Sequence, residues 1–162
     1  MEGDIPEETV MLRSDLGVVL SGLPLFAGLE APVLRQIAES AEWLSLPGGS
    51  TLFAAGEASD ALYVVLSGCL GVFSPDSRDR RRFMGRVLAG DTVGEMGLIT
   101  GQPRTATIEA EVNSVLYELS ATAYESIKTD DPALSAALFT YVIKVMAERL
   151  SFASRVIGVL KR

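Results

Sequence analysis

From Trp43 to Leu119 short apolar runs alternate with turn residues every several positions, and this texture narrows the fold more than any other feature. The runs are Trp43-Leu46, Thr51-Phe53, Ala61-Leu66, Cys69-Phe73, Phe83-Leu88, Thr105-Ala110 and Ser114-Leu119. Between them lie Pro47-Gly48-Gly49, Gly56, Ser67-Gly68, Ser74-Pro75-Asp76 and Ala89-Gly90-Asp91. Each run is too short for a stable helix but suits a strand, and the glycines and prolines punctuate them. Many short strands with regular turn signals predict a sandwich, jelly roll or barrel.

Helical texture flanks this β-rich stretch. Glu7 to about Leu20 predicts a helix, with Leu12, Leu16, Val19 and Leu23 in one stripe and Glu7 and Glu8 at the favourable N-terminal end. Gly22 and Pro24 end it, and a second short helix is expected from about Pro32 to Ala41. After Leu119, Ser120 is placed to cap a helix to about Lys128. Asp131-Pro132 then makes a strong start signal, Asp at the cap and Pro in the first turn. The last helix is expected from Pro132 to about Leu160. Phe139, Ile143, Met146, Leu150, Ala153, Ile157 and Leu160 follow a coiled-coil spacing. A second apolar stripe, through Leu138, Val142, Val145, Phe152, Val156 and Val159, is interrupted only by Arg149. Such a helix carries more apolar face than one contact needs. It serves as core, as a dimer face, or as a face for a neighbouring domain.

Composition removes whole classes of chemistry. The 162 residues suit one domain with a sizeable core. There is no histidine, so triads with a histidine base and histidine metal sites are impossible within this chain. Cys69 stands alone, which rules out an internal disulfide and a cysteine-cluster zinc site. A net charge of -7 argues against nucleic acid as a partner. No signal peptide or membrane-spanning run is visible, so no direct membrane insertion is expected and the cytoplasm is the simplest compartment. Arg78, Arg80, Arg81, Arg82 and Arg86 form one basic cluster, diluted by Asp76 and Asp79. A nucleic-acid or lipid-headgroup site is conceivable there, but a solvated hairpin tip is the favoured reading.

One segment concentrates binding chemistry: Gly94-Glu95-Met96-Gly97-Leu98-Ile99-Thr100-Gly101-Gln102-Pro103-Arg104-Thr105-Ala106. Its glycines let backbone approach a ligand and present amide groups to an anion. Arg104 offers a fixed fork of donors suited to phosphate. Glu95, acceptor-only when ionised, suits a sugar hydroxyl. A cation for a phosphate and an anion for a ribose in one short segment describe a cyclic nucleotide. Arg104 has a second reading, as a structural arginine paired with Glu95 or Glu109.

At these residues the segment resembles the phosphate-binding cassette of the cyclic nucleotide-binding domain family. The family pattern is Gly-Glu, a short apolar helical turn, then Pro-Arg-Ser/Thr/Ala-Ala; here it reads Gly94-Glu95 and Pro103-Arg104-Thr105-Ala106. Val93 stands where the family usually has an aromatic. Gly56, Asp60, Tyr63 and Gly68 match the family's strand-turn spacing, so the resemblance covers roughly Leu23 to Leu119. It implies a β jelly-roll with N-terminal helices and a long C-terminal helix. It also implies a ligand site at Gly94, Glu95, Met96, Gly97, Arg104, Thr105 and Ala106, taking cAMP or cGMP and needing no cofactor. Thr105 contacts the phosphate, or favours cGMP as in some family members, or simply suits the start of a strand; cAMP is the leaning.

The implied organisation is an N-terminal helical segment over 1–22, the binding barrel over 23–119, and C-terminal helices over 120–162 that serve as lid, dimer face or output. The expected function is a sensor rather than an enzyme, with binding coupled to movement of the last helix. The alternative is a degenerate, non-binding domain kept for dimerisation or protein interaction. No helix-turn-helix follows the last helix, as it would in a catabolite-activator type regulator. The kind appended to bacterial transporters, channels or phospholipases fits better, with the effector on a parent or partner protein.

Overall fold

A computed structural model describes residues 20–23, 26–27, 30–39, 42–75 and 81–160. The helix expected from Glu7 and the basic residues Arg78 and Arg80 lie outside them, apart from a last helical turn at Leu20-Ser21. In chain order the elements are α1 (Ala31–Glu39), β1 (Glu42–Leu46), β2 (Thr51–Phe53), β3 (Ala61–Ser67), β4 (Cys69–Pro75), β5 (Arg81–Leu88), β6 (Thr92–Val93), α2 (Glu95–Thr100), β7 (Thr107–Ala110), β8 (Ser114–Ser120), α3 (Ala121–Asp130) and α4 (Pro132–Leu160).

The strands form two four-stranded antiparallel sheets, in the orders β1-β8-β3-β6 and β2-β7-β4-β5. This is the jelly roll that the family resemblance implied, one of the three architectures that the strand pattern left open. The main departure is at the β4–β5 hairpin. Ser74 and Pro75 were expected in a turn but continue β4, opposite Arg82 and Arg81. Strand pairing overrides local turn preference there, and Pro75 is tolerated because it stands at the strand's end.

β3 explains how the two layers meet. Its run Ala61-Leu62-Tyr63-Val64-Val65 is buried throughout, because both of its faces are covered. Ala61, Tyr63 and Val65 point between the sheets and join Leu46, Phe53, Leu70, Val87, Val93, Ile108, Ala110 and Leu116. Leu62 and Val64 point the other way and meet Leu20, Phe26, Leu34, Tyr117, Leu119 and Leu134. Phe26 stands edge-on to Tyr117 at 6.3 Å. The helices are therefore fixed to the outer face of the sheet that also carries the cassette.

The helix starts form as the sequence implies. Ser120 accepts the Ala123 amide at 3.1 Å. Asp131 accepts the Leu134 amide at 3.0 Å, opening α4. Along α4, Leu134 and Val142 are buried, whereas Phe139, Ile143 and Leu150 of the heptad seam are exposed. No helix among the described residues is long and apolar enough to cross a membrane.

Candidate functional site

The Gly94–Ala106 segment forms one wall of a hollow of about 690 Å³. Gly94, Glu95, Met96, Gly97, Arg104, Thr105 and Ala106 all line it, so the structure brings every residue of the expected site together. β4 and β5 supply the facing wall through Val72, Met84 and Val87, and α4 closes one side with Arg149 and Phe152.

The cassette's path is set by glycines. Gly94 and Gly101 flank α2, both left-handed at φ 86° and 68°. Gly97 lies against Ser59, whose side chain occupies the space that a Cβ would need. No side chain caps the start of α2, so its first amides are left for other partners.

Arg104 stands on the irregular segment that leads to β7. Its backbone is clamped to the β2–β3 loop, its N–H on Glu57 O at 2.9 Å and its carbonyl accepting Gly56 N–H at 2.8 Å. The side chain is 2% exposed. Nη1 donates to Ala61 O at 2.8 Å and to Gly94 O at 3.3 Å. Nη2 donates to Asp60 Oδ1 at 3.3 Å. The guanidinium carbon stands over the Phe53 ring, 4.0 Å from its centre, and 5.8 Å from the centre of the Tyr63 ring. Arg104 thus pairs with neither Glu95 nor Glu109; Glu109 is taken by Arg81 at 2.6 Å. Its Nε–H is buried and without a partner.

Glu95 opens α2 and is 2% exposed. Its Oε1 accepts Nη1 of Arg149, whose Nη2 donates to Thr92 O at 2.7 Å. Its Oε2 is buried and unpartnered. Burial pushes the Glu95 carboxyl above its usual range, and the Arg149 guanidinium, the residue's own backbone N–H and the Arg104 guanidinium only partly offset this. A buried donor and a buried acceptor without partners are costly, of order 1–3 kcal/mol each. The two residues that carry them line one hollow.

Among the described residues no cluster could hold a metal ion. Thr105 is exposed at the rim, and Ala106 is half-buried. Sequence reasoning missed Arg149 and Phe152 as lining residues, along with Phe53 and Met84. Arg149 had left a mark, as the polar break in an apolar stripe, but nothing in the sequence named its partner.

The model of the cyclic nucleotide-binding domain family matches residues 43–131, more than half of the chain. The chain belongs to that family. It is 25% identical over 151 residues to an uncharacterized NTE family protein of Mycobacterium tuberculosis, covering 91% of this chain and 25% of that protein. It is 32% identical over 117 residues to patatin-like phospholipase domain-containing protein 7 of Rattus norvegicus, covering 72% of this chain and 8% of that protein. The chain therefore spans at most about a quarter of these relatives. The crystal structure of a cyclic nucleotide-binding domain from Methylobacillus flagellatus shares the fold, with a TM-score of 0.80 at 20% identity over 91% of this chain and 84% of that one.

Proposed function

We propose that this chain is a sensor module that takes cAMP or cGMP in the hollow between the cassette and β4–β5 and answers through α4. The observation that carries it is that Arg104 and Glu95, each with a buried and unsatisfied atom (Nε–H and Oε2), line one cavity. The first suits an exocyclic phosphate oxygen and the second a ribose hydroxyl. The barrel over 23–119 is the binding unit, and 120–162 carries the output. The patatin-like relatives suggest an effector of the phospholipase class on the parent protein, regulated from this module.

Titration calorimetry with both nucleotides, alongside thermal melting, tests the reading. A nucleotide at 100 times its Kd stabilises the folded chain by about 2.7 kcal/mol. For a domain of this size that raises Tm by roughly 5 °C or more. No heat of binding and no shift with either nucleotide at millimolar concentration would leave the degenerate-domain alternative standing.

A second proposal concerns self-association. Phe139, Ile143 and Leu150 are 44%, 52% and 69% exposed at heptad spacing, on the side of α4 turned from the barrel. Such a seam fits the same seam of a second copy, because knobs from one helix need holes of the same period on the other. Sedimentation equilibrium is expected to show a dimer that Ile143→Glu dissociates. A monomer at tens of micromolar would end that proposal.

A further inference from the structure

Glu95 is the one carboxylate among the described residues that line the hollow; the other charged groups there are the guanidiniums of Arg86, Arg104 and Arg149. Its two oxygens differ. Oε1 accepts Nη1 of Arg149, so that side already faces a donor. Oε2 is buried and has no donor. The side chain is 2% exposed, so solvation does little for the charge, and burial pushes the carboxyl up. A proton on Oε2 relieves this deficit. A hydroxyl that donates to Oε2 relieves it as well.

We infer that a proton and the nucleotide compete for Oε2 of Glu95, so that the module gives up a proton as it takes its ligand. This rests on the binding function proposed above. A protonated Oε2 presents a hydrogen where the ligand's hydroxyl would present its own. The hydroxyl must then turn and accept, and a charge-assisted hydrogen bond becomes a neutral one of roughly half the strength. Falling pH fills Oε2 and weakens binding; rising pH empties it and strengthens binding. The groups that face Glu95 do not titrate with it. Arg149 on α4 and Arg104 before β7 are guanidiniums, and the Tyr141 phenol on α4, pushed up by burial, stays neutral. The chain has no histidine, so no other side chain ordinarily changes charge near neutrality. Glu118 is also pushed up, by burial and by Glu42 and Asp60, but it does not line the hollow.

Titration calorimetry with cAMP and cGMP from about pH 5 to about pH 8, starting just above the ordinary range of Glu, tests the competition. Both nucleotides keep their charge over that span. Affinity is expected to rise by up to about tenfold per pH unit while Glu95 is protonated, and to level off once it is ionised. On the slope, the heat is expected to differ between buffers of different ionisation enthalpy, as a released proton requires. Glu95→Gln keeps an acceptor but cannot ionise, so its pH profile is expected to be flat and its heat independent of buffer, whatever its absolute affinity. Carbon NMR of the Glu95 carboxyl needs no variant: its titration midpoint is expected to move down when nucleotide is added. Binding that ignores pH, a slope that survives in folded Glu95→Gln, or a midpoint unmoved by nucleotide overturns the inference and leaves the binding function standing. If Glu95→Gln does not fold, the midpoint decides. A chain that binds neither nucleotide at any pH overturns both.

Discussion

Arg104→Ala is expected to weaken nucleotide binding by about 2–5 kcal/mol, or some thirtyfold to several-thousandfold in Kd. The size follows from burial. The side chain is 2% exposed, with its guanidinium carbon 4.0 Å from the Phe53 ring centre, so a contact with a phosphate would be made in a site largely stripped of water. Removing it also leaves the Ala61 and Gly94 carbonyls without their donor. Folding stability is therefore expected to drop as well, by about 1–3 kcal/mol. Asp60 loses little, because its side chain is 82% exposed. Arg104→Lys separates the two losses: it restores a charge but not the fork that reaches Ala61, Gly94 and Asp60 together. Calorimetry at a temperature where chemical denaturation shows each variant folded gives the measurement. A folded Arg104→Ala that binds with undiminished affinity would remove Arg104 from the site.

Gly94→Ala is expected to damage the same site from the backbone side. Gly94 has φ 86°, and alanine pays about 1–2 kcal/mol in that left-handed region. A Cβ there would also stand 2.5 Å from Arg104 Nη1 and 2.9 Å from the Ala61 carbonyl oxygen, the two ends of an existing hydrogen bond. Either the Arg104 fork or the start of α2 must move. Melting should fall by several degrees, and binding should fall by at least tenfold even in the folded fraction. Gly49→Ala is the control, since φ there is 84° but a Cβ meets nothing within 4 Å. It carries the backbone cost alone, so comparable binding losses in both variants would mean that the Gly94–Arg104 contact is immaterial.

How far the sequence spoke for itself depended on how local each signal was. The strands of the barrel, the Ser120 and Asp131 caps and the glycine-bracketed cassette are encoded within a few residues, and they form where expected. β6 left no trace: two residues, Thr92 and Val93, are too few to alternate, and their pairing with Val64 and Tyr63 is purely tertiary. Arg81 and Arg82 read as a polar tip but are strand, because pairing with Pro75 and Ser74 decides their conformation. Arg104's ion partner proved to be Asp60 rather than Glu95 or Glu109. The clamp of its backbone to Gly56 and Glu57 brings it to that loop, and only the folded chain shows this. Arg149 was conspicuous as a misfit, yet its partner Glu95 lies 54 positions away.

The pairing of β1 with β8, from Glu42↔Glu118 to Leu46↔Ser114, has a consequence for how the protein is made. β8 is also the central neighbour of β3, so two early strands wait on one late one. Contacts so distant along the chain slow closure of the barrel. During synthesis, β1 and β3 emerge from the ribosome with open edges until β8 follows. A chain halted before Ser114 would hold the cassette and the Arg104 clamp yet present bare strand edges, and it would be captured by chaperones or aggregate.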